Sequence, residues 1–405
     1  MRRSTHFLRK YIELLSYDKP HTSLPLFAFF VIFSLVNINL LKAIYIEFES
    51  FETSLNGLTD FAINSILLPC VIRHAFNKKE FTQLVDVIEK DLELDRIDFK
   101  GRKKLWTKIE STHRKRTYHA ERMAQNLIAL LTISGFSIYT KNLIKYIMLD
   151  KTKSENSDAI WPTPYLSYLP PEFDKLSFLI YLCFLHAFLL MIYVSEGILI
   201  FCSFNLTTEK LLADFEIFYI LVDNLNRNFS YDYESQENIY SIYTPLMVDL
   251  RRDMRRIVCF HQNINRNFTI CANNTAFGIC IVNVALMSYG CTVAYFMLTS
   301  KSLKTAAHYA LLFIIINLSA FSTYHNGQRL FNQNEVLRRT LAELPWTDKP
   351  YWFKQTLHVM MTRANMDIEI RPYGIYTPNY MSFKDLMKTA FSVSNLFYTK
   401  RTSTQ

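Results

Sequence analysis

The chain has 405 residues, half of them apolar and 15% aromatic, with 20% charged and a formal net charge of +9. A soluble protein of this length would form two or three domains. So apolar a chain, with only 8 glycines and 12 prolines, reads instead as one membrane-embedded set of long helices, residues 1–405 forming a single all-α domain.

The first 23 residues are basic and lack the apolar stretch of a cleavable signal peptide. Apolar runs then follow at 24–46, 57–76, 124–148, 176–206, 270–299 and 305–323. Each is long enough for a hydrocarbon core of about 30 Å. A seventh, 382–399, is the shortest and most polar. Most of the 45 Lys and Arg residues lie in the N-terminal segment and in the connections after the second, fourth and sixth runs, and only 7 lie on the opposite side. Basic residues collect on the cytoplasmic face, so the N-terminus is expected inside and the C-terminus outside. The basic excess therefore needs no nucleic-acid partner.

The cytoplasmic connections 77–123, 207–269 and 324–377 are not featureless. Phe81, Leu84, Val85, Ile88 and Leu92 recur at helical spacing, as do Leu211, Leu212, Phe215, Phe218 and Val222, and Leu250, Met254, Ile257, His261 and Ile264. These connections are expected to extend the spans into a packed intracellular bundle, with His261 as a structural residue. Outside, only 150–175 is long. Its WPTPYLSYLPP centre suggests an extended lid.

The seventh run carries the most information. On a helix advancing about 100° per residue, Asp385, Lys388, Thr389, Ser392, Asn395 and Thr399 share one side. Phe383, Leu386, Met387, Ala390, Phe391, Val393, Phe397 and Tyr398 share the other. Ser394 sits among the apolar residues and Leu396 among the polar ones. Polar groups cannot face lipid, which leaves two readings: the stripe lines a pore plugged by Leu396, or it packs against neighbouring helices. Ser382 and Asp385 read as a capping box starting this helix, and Asp385 and Lys388 are spaced to pair.

Catalytic chemistry has no support. P-loop, GxGxxG, GxSxG and HExxH patterns are absent, as is any His/Cys cluster with metal-site spacing, so neither an enzyme nor a cofactor is expected. Aromatic residues gather in the outer halves of the spans: Phe61, Phe136, Tyr139, Tyr181, Phe184 and Phe188, with Asn64 and Ser137 as sparse polar neighbours. Either they wall a cavity for a small lipophilic ligand or they are packing and interfacial residues. His308 is likewise an interfacial anchor or a pocket residue.

The C-terminal half resembles the insect odorant receptor family. The residues that carry the likeness are Leu344-Pro345-Trp346, the WFKQTLHVMMTRAN stretch from Trp352, RRIVCFHQNI at 255–264, and a final helix that begins Ser382-Phe383 and ends SVSNLFYTK. Size and spacing agree along the whole chain. The related gustatory receptors end in a TYxxxLxQ-like motif. Here that place reads Ser392-Val393-Ser394-Asn395-Leu396-Phe397, closer to the odorant pattern, although Phe391 and Val393 stand where that family usually has tyrosines. The resemblance implies an odorant-gated, non-selective cation channel in the plasma membrane of sensory dendrites. It implies a heterotetramer with a shared odorant co-receptor and a small volatile odorant as ligand. Carried over, the pore and gate positions fall on Ser392, Asn395 and Leu396. The pocket candidates are Phe61, Asn64, Phe136, Ser137, Tyr139, Tyr181, Phe184, Phe188 and His308. A gustatory channel of the same fold is the nearest alternative. A metabotropic receptor fails on orientation, and a transporter lacks the expected internal repeat.

Overall fold

The computed structural model describes residues 2–15, 17, 19–46, 51–90, 92, 94, 96–152, 167–168, 170, 175–229, 239–300 and 303–404. Among these there are ten α-helices and no strand. They are α1 (Arg2–Leu14), α2 (Leu24–Ile46), α3 (Phe51–Phe76), α4 (Lys78–Glu89), α5 (Lys103–Thr152), α6 (Lys175–Phe229), α7 (Ile239–Thr299), α8 (Leu303–Ala342), α9 (Tyr351–Ala364) and α10 (Tyr380–Thr404).

At 1.5 Å per residue, the 61-residue α7 is about 90 Å long, some three times the thickness of a hydrocarbon core. The helices expected to continue beyond the apolar runs do so without a break: α5 from 103, α6 to 229, α7 from 239 and α8 to 342. The connection 77–123 instead divides into α4, a short 3₁₀ turn and the start of α5. Among the described residues, three helices are long and apolar enough on composition alone to cross a membrane: α2, 180–229 of α6 and 247–299 of α7. The expected runs in α3 and α10 carry more polar residues, Asp60, Asn64 and Arg73 in α3 and Lys384, Asp385 and Lys388 in α10.

α6 and α7 form the axis. α6 packs on α5, α7 and α8, and α7 packs on α3, α8 and α10. One core joins α6 and α7 to α8 and α9 through Phe215, Phe218, Ile257, Leu337 and Phe353; a second joins α1–α4 to α5 and α6 through Leu8, Phe29, Val71, Val85 and Leu199. The end carrying α1, α4 and α9 is here called basal, and the opposite end distal. His261 lies buried in the first core against the Phe218 ring (5.5 Å). Most of the expected lid, 150–175, lies outside the described residues. Tyr168 is described: its backbone N–H and C=O both bond to the Asn39 side chain near the distal end of α2, and Lys42 lies over its ring.

The connector from α9 to α10 is stapled to α8. The Asn334 side chain donates to the Ile368 carbonyl and accepts from its N–H, and Arg338 donates to the Ala364 carbonyl. Gly327 makes the final approach possible, because a Cβ there would fall on the Pro378 carbonyl oxygen. α10 begins three residues earlier than the capping-box reading placed it. The cap is Asn379, whose Oδ1 accepts the Ser382 N–H at 2.8 Å. Ser382 lies inside the helix, and its hydroxyl donates back to the Thr377 carbonyl (2.7 Å).

Candidate functional site

Two features stand out, the outer face of α10 and a cavity in the bundle. α10 lies on α7 and α8. Its inward side places Phe383 against Phe321 and Tyr324, and Phe397 against Tyr295. Ala390 and Ser394 are buried at the contact, and the Ser394 hydroxyl donates to the Cys291 carbonyl of α7 at 2.8 Å. The polar residue on the apolar side is thus a fastener between helices. Phe391, expected inside, is half exposed and meets Phe313 edge-on.

The opposite side is the polar stripe. Asp385, Lys388, Thr389, Ser392, Asn395, Leu396 and Thr399 are all exposed in the single chain, Leu396 by 65%. The hydroxyls of Thr389, Ser392 and Thr399 donate to carbonyls four residues back, which satisfies them within the helix. No ion pair joins Asp385 and Lys388. Among the described residues, Asp385, Lys388, Thr389, Ser392 and Asn395 are exposed in the single chain rather than packed on a neighbouring helix.

The cavity, about 190 Å³, lies where α3, α5, α6, α7 and α8 converge. Its wall is apolar apart from Cys70, Tyr193, Glu196, Tyr289 and Ser319. Gly135 lets α5 approach α6, since a Cβ there would sit 2.6 Å from a Val194 methyl. Glu196 is only 2% exposed. The Tyr17 hydroxyl donates to its Oε1 at 2.5 Å, and His74 Nδ1 lies 2.5 Å from its Oε2. Both oxygens are thereby held by α3 and by the segment following α1.

Among the described side chains, Phe61, Asn64, Tyr181, Phe184 and Phe188 do not line this cavity. Asn64 is buried, Phe61 half-buried, and Phe188 packs on the second core. Tyr181 and Phe184 are exposed by 50% and 69% on α6. The side chains of Phe136, Ser137, Tyr139 and His308 lie outside the described residues. Along each helix the expected positions lie distal to the cavity: Phe61 before Ile66, Tyr139 after Gly135, Phe188 before Leu190, His308 before Leu312. The missed residues had a signal. Glu196 is a carboxylate inside an apolar run, which demands a partner, and Tyr193 and Tyr289 sit within apolar runs, away from their ends.

A sequence profile of the 7tm odorant receptor family matches residues 70–391. In fold, the chain is similar to olfactory receptor OR5 of the insect Machilis hrabei, with 14% identity, a TM-score of 0.67, and 97% of this chain and 98% of that one covered. A structure of OR5 in complex with eugenol aligns with 13% identity and a TM-score of 0.66, covering 98% and 97%. No curated protein sequence matches the chain.

Proposed function

The chain belongs to the 7tm odorant receptor family, and on that basis we propose that it is an odorant receptor subunit that binds small volatile ligands and opens a non-selective cation channel with a co-receptor. The observation that carries the channel reading is the exposed polar stripe of α10. In a membrane such a face must meet water or another polar surface. Four copies around an axis would turn it into a water-filled path, and Leu396 would form an apolar ring in that path. Apolar rings of this kind gate by dewetting.

The charge distribution supports a basal end in the cytoplasm, the N-terminus inside and the C-terminus outside, in a multi-pass protein of the sensory dendrite's plasma membrane. Exposed Trp346, Tyr351, Val359 and Met366 at the basal end offer apolar surface for subunit contacts in a heterotetramer. The ligand reading rests on the cavity, which suits a small lipophilic molecule held mainly by apolar burial at about 25 cal/mol per Å². Phe61, Asn64, Phe136, Ser137, Tyr139, Phe188 and His308 form its distal approach in this scheme, with Tyr181 and Phe184 at the mouth. Binding favours a state in which the α10 helices part.

Leu396→Ala tests the gate. Expressed with the co-receptor, it is expected to raise the basal current or alter ion selectivity without loss of surface expression. A variant with unchanged basal current, agonist response and permeability ratios contradicts the assignment of Leu396.

A further inference from the structure

We propose that the face of α5 around Arg122 docks the headgroup of a polyphosphoinositide in the cytoplasmic leaflet. This rests on the membrane reading of the 124–148 run and on the orientation proposed above, not on ligand gating. On a helix advancing about 100° per residue, Lys115, Tyr118 and His119 fall within about 60° of Arg122. Their i, i+3, i+4, i+7 spacing makes one contiguous patch. All four are exposed, Tyr118 by 66%. Arg116, on another side of the helix, pairs with Glu216 of α6 at 2.6 Å. Among the described residues, Lys115 and Arg122 enter no ion pair. The stretch 100–122 carries nine Lys and Arg against two Glu, and neither Glu110 nor Glu121 falls on this face.

The same face changes character along the helix. Beyond Arg122 it carries Gln125 and Asn126, then Ala129 and Ile133, all exposed, Ile133 by 67%. Exposed apolar residues in an expected span face acyl chains, so the cations just basal to them face the headgroups of the same lipids. At 1.5 Å per residue, Arg122, His119 and Tyr118 lie about 3–9 Å below Ala124, the depth of a headgroup layer about 5–8 Å thick. Lys115 lies about 14 Å below, past the phosphodiester of an ordinary phospholipid and level with phosphates that stand out on an inositol ring. Arginine meets phosphate with two parallel N–H donors, lysine as a point charge, and Tyr118 and His119 add hydrogen bonds from either side. Basic clusters at the cytoplasmic end of a span hold anionic lipids. The acyl-facing surface directly above favours a lipid over an acidic protein.

The test uses the full-length protein in uncharged detergent. Thermal stabilisation is read against the concentration of dioctanoyl phosphatidylinositol bisphosphate, dioctanoyl phosphatidylserine and free inositol trisphosphate. The bisphosphate lipid is expected to act at concentrations roughly 10-fold lower than the other two. Lys115→Gln with Arg122→Gln should raise its half-maximal concentration roughly 10–30-fold, the loss of two cations at the membrane surface. Lys103→Gln with Lys104→Gln removes the same charge about 30 Å from the run, several screening lengths away at about 8 Å each, and should leave the response near wild type. Equal action of phosphatidylserine assigns the effect to any anionic lipid and overturns the proposal. Equal action of the free inositol phosphate assigns it to a soluble ligand, and an equal loss in the Lys103 and Lys104 pair assigns it to net charge; either overturns it too. So does the absence of any stabilisation by the bisphosphate lipid, and a loss of subunit assembly in the Lys115 and Arg122 pair would then assign the face to a protein contact. All four substituted positions are exposed, so the variants should melt at the wild-type temperature without lipid; where a pair does not, the single variants at Lys115 and Arg122 carry the same reading. Binding is read without current, so failure here leaves the channel reading standing, and the reverse holds.

Discussion

Ser394 and Leu396 stand two residues apart on α10 and break its pattern in opposite directions. Ser394 is fully buried, and its hydroxyl meets a carbonyl on α7, so its polarity is a local contact rather than part of the exposed polar stripe. Leu396 is exposed in the single chain, and under the proposed function its apolarity would be met in the assembly. His261 makes a prediction that needs no channel. It is buried, its Nε2 has no hydrogen-bond partner, and burial together with Arg363 lowers its pKa to about 4. A histidine whose folded pKa lies below its unfolded value of about 6.5 contributes stability above that value, and the contribution fades as pH falls from 6.5 towards 4. His261→Phe, which keeps the ring against Phe218, should flatten the fall in thermal stability between pH 7 and pH 5. An unchanged pH slope counts against this account. The stripe and Leu396 were legible at residue scale because helical periodicity alone sorts them. The cavity residues were not, because which turn of a helix faces a void depends on how five helices meet. Exposed Tyr181 and Phe184 show the same limit, since depth along a span does not fix the side a residue faces.

At the scale of elements, helix existence was easy to read and helix starts were harder. The helix bounds of α2 coincide with the expected run, with the Ser23 hydroxyl accepting the Leu26 N–H at its start. For α10, Ser382-x-x-Asp385 suggested a cap, but Asn379 takes that role because the connector delivers the chain to α8 three residues earlier. That delivery rests on Asn334, on Gly327 and on Tyr380, whose ring packs on both Phe321 and His325 and whose hydroxyl lies 2.7 Å from His325 Nδ1. α8 thus contributes to the cavity through Leu312, Ile315 and Ser319 and holds the start of α10 three turns further on. Gly327→Ala should displace Pro378 and with it the base of α10, at a cost of about 1–3 kcal/mol. Surface labelling with current recording checks this: the variant should reach the surface with its agonist response reduced several-fold. A wild-type response contradicts the close approach.

For the whole molecule, fold class and the long basal extensions follow from composition and periodicity, and family membership rests on the match over residues 70–391. The assembly does not follow from one chain, because a pore on a symmetry axis is made of surfaces that a single copy leaves bare. Under the proposed function, the stripe on α10 and the apolar side chains at the basal end would be those surfaces. The account therefore stands on a claim about conduction: ligand binding in the bundle opens a path along α10 without a G protein. Whole-cell current recorded on expression with and without the odorant co-receptor, against an odorant panel and with G-protein signalling blocked, tests it most directly. The account predicts rapid, non-selective cation currents that require an odorant and persist under the block. Surface-expressed receptor that gives no current with any odorant, or currents that vanish when G proteins are blocked, would contradict it.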